Sequence, residues 1–268
     1  VAIQRRTRAI GSFRALLWAQ VVGGAALAVV ALAIERPAAA WTAADVLWAG
    51  AGGVAALCAY VGLFLATEHG RLAIVVPIVS SWAVLSAAIG IVLLGEVARA
   101  TQLAGAALVV AGVVLVARAT AGPDPDEARG ASRGALWAAL AGALGFGVLI
   151  PALSRLAPVT GALGGVVLVF AIDLALGLPV ARRRGIALAP PHGGDWGPVA
   201  LAGLCEVAGF ACITLGGSHA PLAVVAPAAS VAAPLTVAWA WVVLRERPGA
   251  LAGCGAALSS LGVLVLSL

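Results

Sequence analysis

Residues 72–96, LAIVVPIVSSWAVLSAAIGIVLLGE, return 150 positions later as LAVVAPAASVAAPLTVAWAWVVLRE over 222–246. Aligned without a gap, residues 69–118 and 219–268 are identical at 19 of 50 positions. His69/His219, Pro77/Pro227, Ser80/Ser230, Glu96/Glu246, Gly105/Gly255 and Gly112/Gly262 are among the identities. Ala and Leu coincide often by chance in an apolar chain. Pro, Glu and His held at one offset do not. The chain therefore reads as two related halves, and its fold must be built twice.

The repeated unit is apolar throughout, and so is the rest. Hydrophobic residues make up 63% of the chain and charged residues 10%, against about half and about a quarter in soluble domains. A water-soluble fold would have almost no polar surface to show. A bilayer removes that requirement. Nine runs are each long enough for a hydrocarbon core of ~30 Å. They lie near 13–34, 45–67, 71–94, 100–117, 134–153, 160–181, 197–217, 221–244 and 248–268. Solid runs of this length argue for helices, since barrel strands show alternating segments of ~10 residues. The fold class expected is an all-α, polytopic membrane protein.

Five of these runs lie in the second half and four in the first. At the 150-residue offset, the unmatched one is 134–153. The sequence also starts at Val1 rather than Met. A further helix is thus expected ahead of Val1, making ten in the intact protein. Residues 119–133 hold the Pro-, Asp- and Arg-rich link between the halves, giving repeats at 1–118 and 134–268. A second long connection, ARRRGIALAPPHGGDWG over 181–197, cannot be a continuous helix because of its Pro-Pro and Gly-Gly.

All positive charge is arginine; there is no lysine. Connections on one side carry thirteen arginines, including Arg14, Arg118, Arg133, Arg182, Arg183, Arg184 and Arg245. The other side carries only Arg36, Arg99 and Arg155. Cytoplasmic loops hold the excess, which puts the inter-half link in the cytoplasm. Arginines flanking apolar runs in this way do not form a nucleic-acid surface. An odd number of spans per half makes the halves enter the membrane in opposite directions. That inverted repeat is the plan of many secondary transporters, with the substrate site near the midplane. Cys58, Cys205, Cys212 and Cys254 fall inside apolar runs with no CxxC or neighbouring His, and are expected to be buried free thiols with no metal.

Each half ends on the same pattern: a helix with an early proline, a Gly-Glu or Arg-Glu at its end, then a helix with spaced glycines. It stands as PIVSSWAVLSAAIGIVLLGEVARATQLAGAALVVAGVVLVAR and as PAASVAAPLTVAWAWVVLRERPGALAGCGAALSSLGVLVLSL. This resembles the EamA-type transporters of the drug/metabolite transporter superfamily, over nearly the whole chain. The resemblance implies an inverted pair of five-helix bundles. It also implies transport of small organic metabolites or drugs across the cytoplasmic membrane, with no cofactor. It leaves the substrate, the coupling ion, the direction and any homodimer open.

Of eleven acidic residues, only Asp173 and Glu206 sit mid-span. Glu206 lies some nine residues into its run, about 14 Å along a helix. A carboxylate at that depth must face a cavity or stay protonated, and intramembrane acids mark ion or substrate pathways. The alternative for each acid is a protonated group that only bonds a neighbouring helix. A carboxylate near the point of Glu206 also recurs in branches of the resembled family. The offset partners of Asp173 and Glu206 are Gly23 and Ala56, so the acids belong to one half alone.

Pro77 and Pro227 remove a helix N–H and should kink their helices. Ser80, Ser81 and Ser230 follow the prolines, placed to satisfy freed carbonyls or to touch substrate. Trp82 offers an aromatic surface for a substrate, or merely packs. Glu96 and Glu246 read as helix-end residues paired with nearby arginines, Arg99 in the case of Glu96. Gly105, Gly112, Gly255 and Gly262 are expected to let helices pack closely at the back of each bundle. No HExxH, GxSxG, Walker loop or Asp-rich motif is present to support a membrane enzyme, and no filter sequence supports a channel. A secondary transporter is the leading expectation; an integral membrane protein without transport activity, a scaffold or enzyme, is the alternative.

Overall fold

The computed structural model describes residues 12–36, 40–69, 78–79, 81–120, 133–186, 188–229 and 249–266. Among them are nine α-helices and no strand. These are α1 (Ser12–Ile34), α2 (Ala43–His69), α3 (Trp82–Val92), α4 (Ala100–Thr120), α5 (Arg133–Thr160), α6 (Ala162–Arg183), α7 (Trp196–Gly217), α8 (Leu222–Ala229) and α9 (Ala250–Leu266). A 3-10 turn, Gly193–Asp195, leads into α7. Helices α1, α2, α5 and α6, and α7 with its leading turn, are long and apolar enough to cross a membrane. The expected spans at 71–94 and 221–244 lie partly outside the described residues. Val29, Leu32, Trp137 and Leu144 stand exposed on helix faces. In a bilayer such faces meet acyl chains, which impose no penalty on apolar groups.

Helix α5 runs past its expected end at 153, through Arg155 and Pro158, to Thr160. Two local features account for this. The Arg155 guanidinium is paired with the buried Asp45 carboxylate at 3.0 Å, so its charge is matched. The stop comes instead from Gly161, whose φ of 82° is a left-handed conformation that glycine adopts without strain. Helix α6 starts at once, and its first N–H groups have no partner within the helix. Glu35, just past the end of α1, supplies one: its carboxylate accepts from Leu163 N–H at 3.0 Å and Gly164 N–H at 2.8 Å.

The same device appears at α8. The Glu96 carboxylate accepts the Leu222 N–H at 2.7 Å, rather than pairing with Arg99 as the sequence suggested. A negative group at a helix N-terminus meets both unpaired donors and the positive end of the helix dipole, which outcompetes a solvated arginine partner.

Helix α2 begins with a capping box. Asp45 accepts from Thr42 N–H at 2.9 Å and Thr42 hydroxyl at 2.6 Å, and Asp45 N–H donates back to Thr42 Oγ1 at 3.3 Å. Asp45→Ala removes the reciprocal half of the capping box and the Arg155 ion pair together. It is expected to lower the midpoint of thermal unfolding in detergent. Asp45→Asn, which still caps, should recover part of the loss.

The chain divides into two compact units, Val1–Leu57 with Ala152–Ser218, and Cys58–Pro151 with His219–Leu268. Neither unit is a sequence half: each takes matching pieces from both repeats. In the second unit, α4 packs on α9. A Cβ on Gly112 would lie 2.5 Å from the Gly255 carbonyl oxygen, and one on Gly262 would lie 2.8 Å from that of Gly105. Shifting either contact by 150 residues gives the other. Ser259 Oγ donates to the Val109 carbonyl at 3.4 Å, and these two positions are themselves offset partners. Equivalent positions meeting in reversed order require antiparallel helices related by a two-fold. The glycines give the close helix packing expected of them, but across the repeats, where they join the last helices of the two repeats to one another.

The first unit follows the same rule. A Cβ on Gly23 would overlap the Gly203 carbonyl, while the offset partners of these residues are Asp173 and Gly53, where a Cβ on Gly53 would sit 3.6 Å from the Asp173 nitrogen. The cysteines are a second correction. Cys58, Cys205, Cys212 and Cys254 are free, as expected, but exposed rather than buried. In a membrane chain both protein-facing and lipid-facing surfaces are apolar, so an apolar run does not reveal which face is inside.

Candidate functional site

Three helices of the first unit, α1, α6 and α7, bring its polar residues together. Helix α6 buries Leu163, Val166, Val169, Phe170, Asp173 and Gly177. Spacings of three and four put these on one stripe, so Asp173 falls on the protein-facing side and is 3% exposed. Helix α7 buries Val199, Gly203, Val207, Ala211 and Thr214. Glu206, at the edge of that face, is half-buried. Asp173 and Glu206 each lie one turn from the Phe170–Phe210 contact between α6 and α7.

Sequence reasoning missed the third member. Gln20, on α1, is 2% exposed, and its Nε2 donates to Asp173 Oδ2 at 2.8 Å. A signal was available: a carboxamide inside an apolar run is costly in lipid for the same reason as an acid, and needs a partner on another helix.

Aromatic pairs sit beside the polar group. Phe170, one turn before Asp173, meets Phe210, one turn after Glu206, edge to face at 5.4 Å and 76°. Trp18 and Trp196 meet likewise at 5.5 Å and 77°. Such pairs stabilise beyond their buried area by about 0.5–1.5 kcal/mol, and here they tie α6 to α7 and α1 to α7. Arg14 donates from Nε to the Ala189 carbonyl and from Nη2 to the Pro190 carbonyl, which holds the connection between the two acid-bearing helices.

The other expected site residues belong to the second unit or lie outside the described residues. Ser81 and Trp82 open α3 in the second unit. The Ser81 hydroxyl donates to the Ile78 carbonyl at 2.7 Å, and Trp82 is half-buried. Pro227 is buried inside α8. Ser80, Ser230 and Pro77 lie outside the described residues.

These features define an all-helical, multi-pass membrane protein built from a duplicated unit, with a small polar group among its spanning helices. The family model of the EamA-like transporter family matches residues 1–118 and 132–268. The chain belongs to that family and is a membrane transporter of the drug/metabolite transporter superfamily, whose EamA members are transporters and not enzymes. No curated protein sequence matches it. Among solved structures, one described only as a crystal structure of a protein shares the fold. It is 22% identical, with a TM-score of 0.75, covering 98% of this chain and 94% of that one.

Proposed function

We propose that the protein is a secondary transporter carrying small organic solutes across the cytoplasmic membrane by alternating access, coupled to protons at Asp173 and Glu206. The observation that carries this reading is the Asp173 carboxylate, buried inside a membrane span and bonded by Gln20, with a second acid on the neighbouring helix α7. Ionisable groups buried inside spans mark proton relays and substrate pathways. A proton taken up at such a site on one side and released on the other is the elementary act of coupling.

In this reading 119–133 is the cytoplasmic link between the repeats 1–118 and 134–268. Ser81 and Trp82 supply substrate contacts, and Pro227 supplies a kink in its helix. The arginine excess supports the orientation, with the N-terminal end of α1 inside.

The test is reconstitution of the full-length protein into proteoliposomes with an imposed pH gradient. A panel of labelled solutes, including neutral and charged amino acids, amines and carboxylates, is offered. At least one should accumulate against its gradient, and collapse of the pH gradient should abolish accumulation. Flux indistinguishable from empty vesicles for every solute would favour a membrane protein without transport activity.

A further inference from the structure

The coupling reading uses the two acids and leaves Gln20 without a task. Yet Gln20 is buried to 2% exposure within a spanning helix and spends its amide on Asp173. Burying a carboxamide among apolar helices is unfavourable unless it is bonded. A leucine there would pack without that requirement.

The chemistry of the pair is specific. A carboxylate only accepts hydrogen bonds; a carboxylic acid donates one; a carboxamide does both. In the structure Nε2 of Gln20 donates to Asp173 Oδ2 at 2.8 Å, the arrangement suited to an ionised Asp173. If Asp173 takes a proton, its O–H needs an acceptor. The same carboxamide, turned half a revolution about its last bond, presents Oε1 at that place. A lysine or arginine could serve only the ionised state. An apolar residue could serve neither.

The duplication shows that this bond is not a by-product of symmetry. Its two-fold mate would join Gly23 to Phe170, the offset partners of Asp173 and Gln20. Neither has a polar side chain, so the pair exists once. Helices α7, α1 and α2 pack against α6 around Asp173. Helix α7 presents Glu206, α1 presents Gln20, and α2 presents Gly53. Glu206 is the one titratable side chain of the three.

Building on the proton-coupled reading above, we infer that Gln20 is a positioning residue for the coupling step: its carboxamide partners Asp173 in both protonation states and sets the pH at which Asp173 loads and releases its proton. Removing the donor takes stabilisation from the carboxylate. A lost hydrogen bond to a charged group corresponds to a shift of about one pH unit. The shift is toward alkaline pH, because both forms lose a partner and the hydrogen bond to the charged form is the stronger of the two.

Gln20→Leu and Gln20→Asn, in the full-length protein, test this by two readouts. The first is the infrared carbonyl band of protonated Asp173, assigned by its disappearance in Asp173→Asn and titrated in lipid. The second is the pH profile of solute flux. In both variants the band midpoint and the flux profile should move alkaline by about one pH unit. Asn keeps the polar carboxamide but is one methylene too short to reach Asp173, so it serves if Leu fails to fold. An unmoved band midpoint in the variants that fold overturns the role of Gln20 while leaving the coupling reading intact. Wild-type flux without any pH dependence overturns the coupling reading, and this inference with it.

Discussion

Glu206→Gln should yield a protein that folds and inserts normally but no longer accumulates substrate in response to a pH gradient. The substitution keeps volume and hydrogen-bonding capacity and removes only the ability to ionise. Glu206 is half-buried on the α7 face that meets α1 and α6, one turn from the Phe170–Phe210 contact with the helix that carries Asp173. With one acid made permanently neutral, Asp173 loses the neighbour whose charge opposes its own ionisation. Proton uptake and release are then no longer set by the pair. Gradient-driven accumulation should fall to the level of empty vesicles, while downhill exchange of labelled substrate persists, since exchange moves no net proton. Glu206→Asp, which can still ionise, should retain part of the driven flux. Asp173→Asn should resemble Glu206→Gln. An unchanged rate and pH profile in Glu206→Gln would leave Glu206 a structural hydrogen-bonding group and sink the coupling role.

The spans were legible because the bilayer sets their length, and the duplication because Pro, Glu and His recur at a fixed offset. What remained hidden was which apolar residues touch which. Spans apolar on all sides carry no periodic signal, so the exposure of all four cysteines could not be read. Nor could the pairing of α4 with α9 across the repeats. Glu96 was legible as a helix-end residue, but its partner, the Leu222 N–H, lies 126 positions away, and no local pattern encodes it. Asp45 shows the opposite case. Thr42 and Asp45 are a local capping box that a closer reading of TAAD would have found. Asp173 and Glu206 stood out because charge is rare within spans; Gln20, uncharged, did not, though lipid disfavours it for the same reason.

Gly203 is where the packing that presents the site can be broken by one methyl group. A Cβ at Gly203 would overlap the Ala19 carbonyl, and one at Gly23 would overlap the Gly203 carbonyl. Backbone therefore lies on backbone where α1 crosses α7, with no flexible side chain able to give way. Gly203→Ala must push the helices apart, and Gly203→Leu further. Overpacking of this kind costs about 1–3 kcal/mol or more. Gly209, on the same helix, supplies the control, because a Cβ there meets nothing within 4 Å. Gly209→Ala should be neutral, or stabilising by up to ~1 kcal/mol from helix propensity. Thermal unfolding in detergent should thus fall for Gly203→Ala and hold or rise for Gly209→Ala, identical substitutions six residues apart. The functional consequence runs through geometry. Gly203 lies one turn before Glu206, so parting α7 from α1 also draws Glu206 away from Asp173 and the Gln20 that holds it. Gly203→Ala should lose gradient-driven flux even at temperatures where it stays folded. Equal melting of Gly203→Ala and Gly209→Ala would show that α1 and α7 do not make this close approach.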